Sequence, residues 1–227
     1  MYFATVDTAK GIGGDYSALT IVDITAPPYK VVAKYRSNEI SPLLYPSIVY
    51  KIATEYNNAY VLIEVNSSEQ VAHILYHEYE YENVLFVTKD SATNQIISSG
   101  FGGSSSKMGV TTDKKVKRVG CNNLKTLVEE NKLIIRDADI INELSTFIQK
   151  RDSYSADDGY HDDLVMTLVL FAWATANKYF SELTDVNLRQ SIFKRQMEMI
   201  ENELTPFGFY NDGSTTDLGS DFLQANF

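Results

Sequence analysis

Residues 2–24 read YFATVDTAKGIGGDYSALTIVDI, and residues 30–36 continue as KVVAKYR. Three short runs rich in apolar and β-branched side chains, 2–7, 18–24 and 30–36, are separated by the turn-forming segments Gly11–Asp15 and Ala26–Pro28. Connections this short predict an antiparallel meander. The period then changes. Leu44, Ile48, Ile52 and Tyr56 recur at helical spacing, with Pro46 suited to the first turn. Residues 60–65, YVLIEV, form an almost continuous apolar run, as expected of a strand covered on both faces.

Further along, the pattern predicts a helix over 68–79, a strand over 84–88, and a polar Gly- and Ser-rich mobile loop or hairpin over 90–112. A helix over 114–130, a strand over 132–136, a helix over 139–149 and a polar loop over 150–159 follow. Residues 161–178, HDDLVMTLVLFAWATANK, make the most apolar helix of the chain. Parallel crossovers after a meander predict an α/β fold, with a mixed sheet of five or more strands and helices on both faces. Residues 1–178 are read as one domain. Residues 179–227 are read as an extension with an amphipathic helix over 182–203 and a polar, partly flexible end.

The bulk properties narrow the class. With 227 residues, 44% of them apolar, the chain is long enough to bury a substantial core. No run of 18 apolar residues occurs, so no membrane partner is expected, and MYFATVDTAK does not read as a secretory leader. Cys121 is the single cysteine, which rules out an internal disulfide and fits a reducing cytoplasm. Without a secretory leader, the sequon Asn66-Ser67-Ser68 carries almost no weight. The net charge of −10 argues, taken alone, against a nucleic-acid binder. Its distribution argues otherwise: Lys107, Lys114, Lys115, Lys117 and Arg118 crowd a segment whose one acid is Asp113. Local charge sets the field a phosphate backbone meets. The alternative for this run is a solvated helix face.

The acids carry the chemistry. Asp7 ends the first strand and Glu64 nearly ends the fourth, in runs otherwise apolar. A buried unpaired charge is costly, so each acid either marks where its strand leaves the core or serves a function. Asp162 and Asp163 open the most apolar helix, where acids also suit the dipole and cap free amides. If the first and fourth strands are neighbours and this helix starts beside them, the acids form one cluster. Two carboxylates ~4 Å apart repel by roughly 4 kcal/mol at an effective dielectric of 20, an arrangement that makes sense where a cation is expected. Hard oxygen donors suit Mg²⁺ or Mn²⁺, and two such ions serve phosphodiester hydrolysis without a protein nucleophile.

The segments TVDTAKGIGGDYSAL (5–19), VLIEVNS (61–67), VGCNNLKTLVEENKLII (119–135) and GYHDDLVMTLV (159–169) carry a family resemblance. Together they resemble the nuclease domain of the large terminase subunit of T-even-like tailed bacteriophages, over residues 2–178 and more weakly in the tail helix. The resemblance implies an RNase H-like fold, related to RuvC-type resolvases and retroviral integrases. It also implies an endonuclease that cuts concatemeric double-stranded DNA with little sequence preference during headful packaging, in the host cytoplasm. Asp7, Glu64 and Asp163 then match the three catalytic, metal-binding carboxylates, with Asp162 as an adjacent or alternative ligand and Mg²⁺ or Mn²⁺, as two ions, the expected cofactor. The basic residues Lys107, Lys114, Lys115, Lys117 and Arg118 become expected DNA contacts. The implied partners are an upstream ATPase motor of the same subunit, the capsid portal and the small terminase subunit. No G-x-x-x-x-G-K-[ST] occurs here, so the chain is read as an isolated C-terminal domain. The segment 90–112 is longer than the family pattern.

Two other readings compete. Actin-like and sugar-kinase ATPases also open on a strand, an Asp and a Gly-containing turn, but they need two such halves. A non-catalytic portal-docking module, with 179–227 as its surface, is the other. Gly11–Gly14 either lets a phosphate approach or makes an ordinary turn, and Asp15 is an outer-shell acid or a turn cap. His161 either serves the acids or merely starts the helix. His73 and His77 lie one turn apart with no third metal-binding partner evident, and Gly100–Lys107 lacks the features of a phosphate cradle.

Overall fold

The computed structural model describes residues 1–67, 69–91, 94–98, 106–150, 153–185, 190, 193–197 and 199–200. The chain divides into two compact units, Met1–Asp185 and Val186–Phe227. In the second, the described residues at 190, 193–197 and 199–200 are helical; of the tail helix predicted over 182–203, residues 186–189, 191–192, 198 and 201–203 lie outside the described residues.

The first unit is built on the predicted meander. Strands β1 (Tyr2–Asp7), β2 (Ser17–Asp23) and β3 (Tyr29–Ser37) pair antiparallel in sequence order. Helix α1 (Tyr45–Glu55) then carries the chain to β4 (Tyr60–Ile63), which pairs with β1 in parallel. At the far edge, β8 (Leu133–Ile134) pairs with β3 in parallel, closing a five-stranded sheet of order β4-β1-β2-β3-β8. Strand alternation sends successive side chains to opposite faces. Phe3, Ala18, Val22 and Leu62 join one apolar cluster, while Ala4, Val6, Leu19, Ile21, Val61 and Ile63 join the other. Both faces are therefore covered, which is why these strands read as continuous apolar runs.

Helix α5 (Asp163–Thr175) lies on the first face, and every residue from Asp163 to Ala174 is buried. It packs against β1, β2 and α3 (Lys114–Glu129). The approach to α3 is close: a Cβ on Gly120 would sit 2.4 Å from the Val169 carbonyl oxygen, so only glycine fits. Polar side chains under α5 satisfy one another. Thr5 and Thr20 hydroxyls are 3.0 Å apart, Thr20 and Thr167 2.9 Å, and Thr167 donates to the Leu164 carbonyl at 2.7 Å. The opposite face is covered by α1 and by α2 (Gln70–His73), which widens into a π-helix over Ile74–Glu78. No helix among the described residues is long and apolar enough to cross a membrane.

One segment takes the hairpin form among its two sequence readings, and two others differ from the sequence reading. The region expected as a mobile loop or hairpin contributes β6 (Asn94–Ser98) and β7 (Ser106–Met108), which flank β5 (Phe86–Ser91) in a separate antiparallel sheet. Residues 92–93 and 99–105 lie outside the described residues, and with them most of the weak glycine cradle. The predicted helix over 139–149 ends early, as α4 (Ala138–Thr146), and passes into a hairpin of β9 (Phe147–Lys150) and β10 (Ser153–Ala156). Aromatic pairing favours strand over helix there, with the Phe147 and Tyr154 rings stacked 6.2 Å apart. The long apolar helix also stops at Thr175, and α6 (Lys178–Thr184) returns Phe180 to the core, 5.6 Å from Phe3 and 5.8 Å from Phe171.

Candidate metal centre

The parallel pairing of β1 with β4 brings the first two acids together. Val6 is in register with Ile63, and the Glu64 amide donates to the Val6 carbonyl at 2.8 Å. Asp7 and Glu64 thus leave the sheet side by side. Thr8 ties the corner by donating to the Glu64 carbonyl at 3.1 Å. Beyond the sheet, Glu64 forms an isolated parallel bridge with Val110, which fixes the other side of the strand end.

The third acid comes from the helix. Asp163, the first residue of α5, accepts from the Tyr16 amide at 3.1 Å through Oδ1. Its Oδ2 is buried without a hydrogen-bond partner, and His161 Nδ1 stands 3.7 Å from it. Asp162 is differently employed: its Oδ2 accepts from the Ala156 amide at 3.1 Å, and its side chain does not cap the helix. Geometry therefore separates two acids that are equivalent in the sequence. Asp163 has an oxygen to offer a cation; one oxygen of Asp162 is held by the hairpin.

Glu64 and Asp163 are only 8% and 7% exposed, although both line a cleft of about 590 Å³ together with Asp7, Asp162 and Asp15. Burial pushes the Asp7 carboxyl well above the usual carboxylate range, helped by a hydrogen bond with Glu64 and by the charges of Glu64, Asp163 and Asp162. Burial likewise raises Asp163 to about 6 against the pull of the Tyr16 amide, with Glu143, Asp15 and Asp162 adding repulsion. Burial and the neighbouring acids thus both oppose ionisation of Asp7 and Asp163. Among the described residues, no group of three or more acidic, His or Cys side chains is drawn together tightly enough to hold a metal ion as it stands. The donor set is nonetheless all hard oxygen, with one buried oxygen orphaned, and that chemistry suits Mg²⁺ or Mn²⁺.

The basic residues separate. Lys117 lines the acidic cleft, and so does Lys10, which the sequence reading did not single out. Lys115 lines a different cavity, beside Trp173 and Asn177. Lys114 and Arg118 are exposed on the first turns of α3. Lys107 is exposed on β7 and pairs with Glu69 at 3.4 Å. The Gly11–Gly14 turn borders the cleft, and a Cβ on Gly11 would sit 2.3 Å from the Ile40 carbonyl oxygen, so the glycine is needed for packing as well as for its positive φ of 68°. His73 and His77 stack with ring centroids 4.4 Å apart, and His77 lines a third cavity.

Besides Lys10, two further functional candidates escaped sequence reasoning. Glu143, on the buried face of α4, accepts from the amides at the start of α5, and Arg36 at the end of β3 pairs with it. The only local signal is an acid three residues after Ile140, on the apolar face of a helix.

A mixed sheet of this order, covered on both faces, with carboxylates converging at the ends of two adjacent strands, β1 and β4, and the start of the buried helix α5, is an RNase H-like nuclease architecture. Residues 4–174 match the terminase RNaseH-like domain family, and the chain belongs to it. Among solved structures it is similar to the large terminase nuclease of thermophilic phage G20c, at 19% identity and a TM-score of 0.55, over 78% of this chain and 81% of that one. The same G20c nuclease with bound magnesium aligns at 18% identity and a TM-score of 0.56, over 77% and 80% of the two chains. The large terminase nuclease domain of Thermus phage P74-26 aligns at 19% identity and a TM-score of 0.54, over 77% and 79%. These matches establish family and fold; the T-even-like subgroup rests on the sequence resemblance alone.

Proposed function

We propose that this chain is the divalent-metal-dependent endonuclease domain of a viral large terminase subunit, cutting concatemeric double-stranded DNA with little sequence preference during headful packaging. One observation carries the reading. Asp7, Glu64 and Asp163, from three separate elements, line one cleft in a mutually repulsive cluster that keeps a buried oxygen unpartnered. A buried oxygen of this kind calls for a partner, and a cation in the cleft would supply one.

Asp7, Glu64 and Asp163 would hold Mg²⁺ or Mn²⁺, in two positions, with Asp162 turning its remaining oxygen to the same cleft. Bound there, the cations supply Lewis-acid activation of water and neutralise charge on the phosphodiester. The chain itself contributes placement. Tyr16 orients Asp163, and the Thr8 hydroxyl holds the backbone at Glu64. Lys117 and Lys10 meet the DNA backbone at the cleft, while Lys107, Lys114, Lys115 and Arg118 extend a sequence-independent contact outward. In the host cytoplasm, the tail over 179–227 would join the domain to other packaging components, the capsid portal and small terminase subunit among them, alongside the ATPase motor of the same subunit.

Digestion of supercoiled plasmid tests this directly. Wild-type protein nicks and linearises plasmid with Mg²⁺ or Mn²⁺ and not with EDTA, and Asp7→Asn reduces cleavage to background. Cleavage in EDTA, or undiminished cleavage by Asp7→Asn, refutes the assignment.

A further inference from the structure

The first turn of α5 presents amides that no nearby side chain takes up. Asp162 occupies the N-cap position and makes no side-chain cap bond. Instead the amides of Leu164 and Val165 donate to Oε2 of Glu143, at 2.8 and 3.2 Å, across 21 and 22 residues of sequence. Glu143 is 6% exposed. Its other oxygen, Oε1, accepts from Arg36 Nη1 at 2.6 Å. The Arg36 guanidinium lies 4.4 Å above the Tyr16 ring, and the Tyr16 amide donates to Asp163 Oδ1 at 3.1 Å. The contacts close a circuit from Asp163 through Tyr16, Arg36 and Glu143 back to the residues that follow Asp163.

Capping alone does not require this arrangement. A serine or threonine at the N-cap position satisfies the same amides without burying a charge. A buried carboxylate beside an acidic cleft adds repulsion, and Arg36 is the counter-charge that makes it tolerable. What the circuit provides beyond capping is a rigid link between both sides of Asp163: its backbone through Glu143 and its carboxylate through Tyr16. Constellations of this kind must be held to about half an ångström to work.

We infer that Glu143 and Arg36 are positioning residues for the metal centre, fixing the height and rotation of the first turn of α5 so that the free oxygen of Asp163 faces the cleft. The inference rests on the proposed reading of Asp163 as a metal ligand. Neither residue touches the reacting atoms. Groups that orient metal ligands typically change metal affinity or activity by about 10–100-fold when removed.

The test uses the full chain as wild type, Arg36→Ala, Arg36→Lys and Glu143→Gln. Mn²⁺ binding is followed by electron paramagnetic resonance titration, plasmid cleavage by steady-state kinetics, and folding by near-ultraviolet circular dichroism. Arg36→Ala should weaken Mn²⁺ binding by about 10-fold or more, lowering kcat while KM for DNA stays unchanged. Arg36→Lys, which keeps the charge, should recover most of the binding, and Glu143→Gln should lie between. Folded Arg36→Ala and Glu143→Gln proteins that bind Mn²⁺ as tightly as wild type would overturn the inference, even with lowered melting temperatures. So would a rise in KM alone, which would make Arg36 a DNA contact. If the wild type itself binds no Mn²⁺, the metal-centre reading fails first, a result distinct from equal binding by all four proteins.

Discussion

Asp163→Asn should make the metal-free protein more resistant to heat at alkaline pH than at acidic pH, relative to wild type. The Asp163 carboxyl rises from its ordinary 3.8 to about 6 on folding, chiefly because it is buried. A carboxyl with a higher pKa folded than unfolded binds protons on folding. Its contribution to stability is fully present below about pH 4 and is lost as pH rises through about 6. The difference of about two pH units corresponds to roughly 3 kcal/mol, of which ~2 kcal/mol develops between about pH 4.5 and pH 8. Asn carries none of this dependence and keeps an oxygen to accept from the Tyr16 amide. Removing the charge also relieves Asp7, which Asp163 helps to push upward. For a protein of this size each kcal/mol moves the melting temperature by about 2–4 °C. In EDTA, the melting temperature of Asp163→Asn minus that of wild type should therefore be about 4–8 °C more positive at pH 8 than at pH 4.5. Differential scanning fluorimetry at the two pH values measures it. The same scan with Mg²⁺ at pH 8 should raise the wild type and leave the variant unmoved. A difference between variant and wild type that is identical at both pH values, or that shrinks toward pH 8, would show that ionising this carboxyl costs the fold nothing and would refute the reasoning.

The cleft and its scaffold give two further expectations. Lys117→Ala should weaken binding to duplex DNA of any sequence and lower the slope of log affinity against log salt by about 1, as read by fluorescence anisotropy; an unchanged slope would remove Lys117 from the contact surface. Gly120→Ala drives a methyl group to 2.4 Å from the Val169 carbonyl and 2.7 Å from Val169 Cγ1. It should cost about 1–3 kcal/mol by urea unfolding, and a neutral result would mean that α3 and α5 separate more easily than their packing indicates.

Much of the fold was legible because the sheet is covered on both faces. Continuous apolar runs in β1, β2 and β4, and the predominantly apolar α5, give signals that no local choice contradicts. Strands β7 and β10 were not legible, since Ser106-Lys107-Met108 and Ser153-Tyr154-Ser155-Ala156 are short, polar edges whose pairing is decided by partners rather than by pattern. Asp7 and Glu64 were visible as acids interrupting apolar strands. Asp162 and Asp163 were visible as a pair and could not be ranked by physical reasoning, because the difference lies in the Ala156 amide, supplied by a hairpin the sequence reads as loop. Glu143 was invisible for a related reason. An acid on a helix is unremarkable, and its partners, Arg36 and the amides of α5, become its neighbours only when the tertiary fold closes.

The acids are not free to escape one another. Even two carboxylates as close as ~4 Å would repel by only roughly 4 kcal/mol at an effective dielectric of 20, and the simplest relief would be for α5 to draw back from the sheet. Doing so would uncover Leu164, Leu168 and Phe171, all fully buried, at roughly 1.5–3 kcal/mol each. It would also break the hydroxyl chain from Thr5 through Thr20 to Thr167 and the grip of Glu143 on the helix start. The core term exceeds the repulsion, so the helix stays and the charge is handled by protons: Asp7 and Asp163 both hold theirs to unusually high pH. Burial beneath the site thus keeps its carboxylates in a state that the proposed divalent cation would relieve, and the pressure that raises their pKa would favour its binding.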